Sequence, residues 1–250
     1  MTLDQITKEF VSKWKNEKHV EGVLLTGSYA TGMQKKDSDI DIRIVFSKDC
    51  KLFVKGVEKV SGKLISFLGN SADNVQRMFH VHLNNFSKFQ ARVFDNGKIL
   101  YDRNGEVKLL KDEANMIMKR PFRELSPIEQ EMGLYGIWKS KEELLKNNDY
   151  QFNLNYYLFL QDLFVFYSKK LRVEIIHPAS FKLDLYLFDS SFTKGYNINA
   201  FPDNDFALEF VEALKKKSIT EKRVSIKKLW GLISQDCLLD FDNFIITSGE

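Results

Sequence analysis

Cysteine is scarce. Cys50 and Cys237 are the two in 250 residues, too few for a disulfide framework, and neither lies in a Cys-x-x-Cys spacing. A reducing compartment, the cytoplasm, is the expected location. No run of about 18 apolar residues exists. The nearest approach, Tyr156 to Tyr167, carries Gln161 and Asp162, so no membrane span is expected. The first residues read as an amphipathic helix and not as the apolar core of a secretion signal. Charge of one sign is also lacking. A formal net charge of +3 is too small for the electrostatic footprint of a nucleic-acid binder, and the lysines are scattered among acids. Histidines number four. His80-x-His82 has no acid or cysteine at a matching spacing, and zinc needs three or four ligands, so it is read as a plain pair near a helix end. Internal repeats and low-complexity tracts are absent.

What the chain has in quantity is aromatic. Its 21 phenylalanines imply a well-filled core or an aromatic-lined cleft. At 250 residues two domains are the better prior.

The richest stretch is Gly22–Phe46. Val23-Leu24-Leu25 reads as a buried strand that stops at Gly27-Ser28, and a short turn follows, helical from about Tyr29. A second strand begins at Asp39. It alternates, with Ile40, Ile42, Ile44 and Phe46 on one face and Asp39, Asp41 and Arg43 on the other. Two carboxylates at this spacing point the same way, with Cβ atoms roughly 6–7 Å apart. That geometry suits convergence on one divalent cation. A glycine at the strand end lets a phosphate approach the backbone, and a serine opening a helical turn can cap it where free N–H groups attract phosphate oxygens. Mg²⁺ prefers oxygen ligands and phosphate partners. A phosphate cradle beside a metal clamp is what phosphoryl or nucleotidyl transfer needs.

Gly27-Ser28-Tyr29-Ala30-Thr31-Gly32 followed by Ser38-Asp39-Ile40-Asp41 resembles the signature of the polymerase-beta-like nucleotidyltransferase superfamily. In layout the chain is most similar to small bacterial enzymes that nucleotidylate lincosamide and aminoglycoside antibiotics. The motif covers about residues 22–46. The resemblance implies that Gly27 and Ser28 bind the triphosphate of an NTP, ATP foremost, and that Asp39 and Asp41 ligate catalytic Mg²⁺. It also implies an α+β fold, with an N-terminal nucleotidyltransferase domain built on a mixed β-sheet flanked by helices and a C-terminal all-helical bundle. The domains are expected at 1–120 and 121–250, the second on the acceptor side of an intervening cleft.

A third acid, expected from the resemblance on a neighbouring strand, is not evident. The strand expected at 62–68 has none. A strand expected at Phe89–Phe94 has Gln90 and Arg92 on one face, with Asp95 at the hairpin turn that follows. Asp95 there is better explained as a turn former. Arg43 either touches a phosphate or neutralises the acids. The alternatives are therefore a nucleotide-binding module that has lost catalysis, or a nucleotidyltransferase acting on a protein or tRNA.

Elsewhere, Thr2 and Gln5 form the pattern of a capping box for a helix over 2–16. Residues 48–61 read as a charged connection with a short helix near Phe53. Ser71 can cap a helix through Val75, Met78 and Phe79. Lys98–Asp102 reads as a strand, and a helix follows with Val107, Leu110, Ala114 and Ile117 on one side. Pro121 and Pro127 mark the boundary. Helices are expected at about 127–146 (Met132, Tyr135, Trp138 and Leu144 inward), 152–171, 180–188, 204–217 and 220–236.

Overall fold

The structure is a computed structural model that describes residues 2–180, 182–235 and 237–245. Phe181 and Asp236, which fall within two of the expected helices, lie outside the described residues. The chain divides into two compact units. One holds the residues up to Pro121 together with Lys194–Asn197; the other runs from Phe122 to Thr193 and onward from Ile198.

The first unit is a five-stranded mixed sheet with helices. Its elements are α1 (Leu3–Trp14), β1 (Val20–Thr26), α2 (Gly27–Thr31), β2 (Ile40–Phe46), β3 (Val54–Val60), β4 (Lys63–Ser71), α3 (Ala72–Asn84), α4 (Phe89–Asp95), β5 (Lys98–Asp102) and α5 (Glu106–Lys119). The strand order is β3-β4-β2-β1-β5. β2 lies antiparallel to β1 and parallel to β4.

The alternation of β2 is realised as expected. Ile40, Ile42, Ile44 and Phe46 are all buried, in one core with Ile6 and Phe10 of α1. Phe10 and Trp14 of α1 meet Phe67 of β4 at ring-centroid distances of 5.4 and 5.9 Å. The predicted capping box starts α1. The Thr2 N–H donates to Gln5 Oε1 at 2.8 Å and the Gln5 N–H to Thr2 Oγ1 at 3.3 Å, satisfying two otherwise orphaned donors. Ser71 caps α3 through the Asn74 N–H. On the other side of the sheet, α5 packs closely on β1 at Gly22, where a Cβ would stand 2.0 Å from Val107 Cγ2.

Two expectations fail here. Residues 89–94 form a helix, not a strand, so no hairpin joins them to β5, which pairs with β1 instead. A run this short does not separate the two periods. Tertiary contacts decide it: Phe94 packs edge-on against Phe79 at 5.5 Å, and the Lys111 ammonium donates to the carbonyls of Phe94, Asp95 and Gly97 at the helix end. Residues 54–60, in turn, form an edge strand. Ser61 and Gly62, both at positive φ (49° and 82°), make the tight turn into β4.

The second unit contains α6 (Pro127–Lys146), α7 (Phe152–Lys170), α8 (Leu183–Phe188), α9 (Ser190–Gly195, whose last two residues group with the first unit), α10 (Asn204–Lys215) and α11 (Ile219–Ile233). Ser126 caps α6 in a full box with Glu129. Its buried residues are Leu134, Ile137 and Leu144, whereas Met132 is exposed; Tyr135 and Trp138 instead stack on Phe244 and Phe241. α7, expected from its apolar composition to be buried on nearly every side, buries one broad face through Phe152, Tyr156, Phe159, Leu160 and Leu163 and leaves Leu154, Tyr157 and Leu158 exposed. Its Phe164 stacks with Phe201 and packs at a tilt against Phe210, and the Tyr156 hydroxyl donates to the Ala213 carbonyl at 2.8 Å. In α11 the inward residues are Ile226, Leu229 and Ile233, with Val224 exposed. No helix among the described residues is long and apolar enough to cross a membrane.

Candidate active site

β1 and β2 carry the four predicted residues to one end of the sheet. In the antiparallel register Thr26, the last residue of β1, is opposite Asp41, and its Oγ1 donates to the Asp41 carbonyl at 3.2 Å. The chain then turns sharply at Gly27, whose φ of +65° favours glycine. A Cβ on Gly27 would lie 2.1 Å from Asp41 Oδ2 and 2.9 Å from its Cγ. The Asp41 carboxylate therefore rests directly against the bare backbone of Gly27. Only a residue without a side chain permits that approach.

Ser28 follows as the second residue of α2, so it does not cap the helix as its position in the sequence suggested. Thr26 holds the cap position, without a side-chain bond. The turn closes one residue past Thr31 at Gly32, again left-handed at φ 76°.

Asp39 is half-buried just before β2. The loop leading to it is fixed from both sides. The Lys35 N–H donates to Ser38 Oγ at 2.9 Å, and Lys63 at the start of β4 donates to the Lys36 carbonyl at 3.0 Å.

Arg43 lies two residues beyond Asp41 on the same strand face, opposite Leu24 of β1 and Leu68 of β4. Burial pulls its guanidinium below the ordinary pKa, and attraction to the Asp41 carboxylate opposes that shift. Its Nε is buried with no hydrogen-bond partner among the described residues.

The parallel partner of Asp41 on β4 is Ser66, and the partner of Ser66 on the edge strand is Val57. No acid stands in this row. Gln90 is buried on α4 and Asp95 is the last residue of that helix, where its carboxylate accepts from Asn115 Nδ2 at 3.0 Å. Among the described residues no group of three His, Cys, Asp or Glu side chains could hold a metal. His80 is on α3, 3.2 Å from Glu113, and His82 stacks on Phe89. An open depression of about 610 Å³, lined by Lys48, Cys50, Phe53, Asn70 and Asn74 among others, borders Ser71. Because Ser71 pairs with Phe46, it lies at the far end of β2 from Asp41 and is not this site.

The residues that reasoning on the sequence did not bring to the site are Ser66, Val57 and Lys63. Their placement depends on parallel pairing between β2 and β4, which has no local signature. The donor set still suits a hard divalent cation: two carboxylates two residues apart, one of them seated against the bare backbone of Gly27.

A mixed sheet with a Gly-Ser turn abutting an Asp-x-Asp strand defines a nucleotidyltransferase-like fold in the N-terminal unit. Residues 8–106 match the family model described as "Polymerase beta, Nucleotidyltransferase". No curated protein matches the chain. Among solved structures, a nucleotidyltransferase-like protein from Exiguobacterium sibiricum 255-15 is similar over 92% of this chain and 75% of its own length, at 12% identity and a TM-score of 0.49.

Proposed function

We propose that this chain transfers a nucleoside monophosphate from an NTP, ATP foremost, to a hydroxyl of a small molecule of the antibiotic type. In this reading residues 1–120 form the catalytic domain and 121–250 recognise the acceptor. The observation that carries it is the apposition of Gly27 to the Asp41 carboxylate, within the stretch that matches the polymerase-beta nucleotidyltransferase family.

Asp39 and Asp41 would hold Mg²⁺, which when bound neutralises phosphate charge as it builds in the transition state. The Gly27 backbone and the Ser28 hydroxyl would meet the triphosphate oxygens, with the Asp41 carboxylate seated where a Gly27 Cβ would stand. The acceptor oxygen attacks the α-phosphorus in line, the bond to pyrophosphate breaks, and the hydroxyl proton leaves to solvent or to a group on the acceptor side.

Pyrophosphate release by the full chain tests this, with each NTP, Mg²⁺ and a panel of lincosamides, aminoglycosides and simpler polyols. Release should require NTP, metal and acceptor together and should vanish in Asp41→Asn. Absence of release under every condition, with ATP binding undetectable or unaffected by Asp39→Ala, refutes the reading. A second reading is a nucleotide-binding module without turnover. It is favoured by Ser66 and Val57 occupying the row beside Asp41, and ATP binding lost in Asp39→Ala with no turnover would identify it.

A further inference from the structure

We propose that Arg43 is the second positive centre of the nucleotide site: its guanidinium offsets one carboxylate charge and takes a phosphate oxygen of the triphosphate, so the divalent cation binds with nucleotide and not ahead of it. This rests on the nucleotidyltransferase reading above. Arg43 shares a strand face with Asp41 and is attracted to it. Across the sheet it is flanked by Leu24 and Leu68, so neither adjoining strand offers it an acid at that register. Its Nε is buried and has no hydrogen-bond partner among the described residues. Buried donors are nearly always satisfied, and an unsatisfied one beside a candidate binding site calls for an acceptor that arrives with a ligand. A guanidinium presents a planar fork of donors that matches phosphate oxygens and stays charged at any working pH.

Charge gives the consequence. Asp39, Asp41 and Arg43 together leave one uncompensated negative charge, a weak attraction for a free divalent ion. A triphosphate brings the missing negative charge with it.

The test is Mn²⁺ binding to the full chain by electron paramagnetic resonance, with and without an α,β-methylene ATP analogue. Arg43→Met should bind free Mn²⁺ about fivefold more tightly than the wild type. It should bind the Mn²⁺–nucleotide complex about tenfold more weakly, with Arg43→Lys between the two. Melting curves check that each variant folds. If Arg43→Met does not fold, Arg43→Lys carries the comparison: it keeps the charge, so free Mn²⁺ should bind within twofold of wild type, while the loss of the planar fork should still weaken the Mn²⁺–nucleotide complex by more than twofold. Affinities within twofold of wild type in both states, or weaker binding of free Mn²⁺, overturn the inference. If Asp39→Ala and Asp41→Ala also leave nucleotide binding untouched, the nucleotide site itself is wrong. If those two abolish binding while Arg43 variants change nothing, only the role of Arg43 is wrong.

Discussion

Replacing Gly27 by alanine separates a site that needs a bare backbone from a turn that merely tolerates one. The new methyl group meets two obstacles. At φ +65° an L-residue is disfavoured by about 1–2 kcal/mol. The Cβ also stands 2.1 Å from Asp41 Oδ2, and contacts below 3.0 Å are not sustained, so the carboxylate must withdraw by about 1 Å. Rotation of the side chain gives little relief, because Asp41 Cβ is itself 3.1 Å away. Gly32 supplies the control. Its φ is +76°, yet a Cβ there meets nothing within 4 Å. Gly32→Ala should therefore lose about 1–2 kcal/mol by melting or urea titration, and Gly27→Ala that much plus about 1–3 kcal/mol for displacing the carboxylate. Only Gly27→Ala should also lose function. A displacement of about 1 Å costs on the order of 100-fold in turnover, and nucleotide affinity measured by calorimetry should fall at least about tenfold. Gly27→Ala that keeps turnover and affinity within about threefold of Gly32→Ala would refute the reasoning.

Asp41→Asn should remove metal-dependent nucleotide binding while leaving the melting temperature near that of the wild type, measured by thermal shift with and without Mg²⁺–ATP. Gly22→Ala should destabilise by about 1–3 kcal/mol without touching the site, since its Cβ would press within 2.0 Å of Val107 and 2.7 Å of the Tyr101 carbonyl; urea unfolding reads this. Ser168 in α7 is fully buried and its hydroxyl has no hydrogen-bond partner among the described residues. Ser168→Ala should be neutral or stabilising by up to about 1–2 kcal/mol, and a loss would show a partner exists. Glu129 is held at a pKa of about 2, chiefly by its hydrogen bonds from Arg123, with the Ser126 N–H next. A depressed carboxylate pKa supports the folded state at neutral pH and loses that support as pH falls from about 4.5 towards 2. The acid limb of the stability profile should therefore flatten in Glu129→Gln.

Local chemistry was legible in the sequence wherever it acts within one turn or one strand. The Thr2–Gln5 capping box, the Ser71 and Ser126 caps and the alternation of Ile40, Ile42, Ile44 and Phe46 each depend on neighbours a few positions away. The composition of α7 misled, since Leu154, Tyr157 and Leu158 are apolar yet lie on an exposed stripe. Phe89–Asp95 and Val54–Val60 were misread too, because six or seven residues fit either period. Phe79, Lys111 and the pairing with β4 decided them. The carboxylate spacing of Asp39 and Asp41 is a property of the chain, but its environment is not. That Asp41 touches Gly27, that Ser66 stands where an acid was sought and that Arg43 lies between two leucines all follow from strand register. Register is set by burying one face of β2 against α1 while β1 and β4 close on either side, an outcome of packing that no short stretch of sequence encodes.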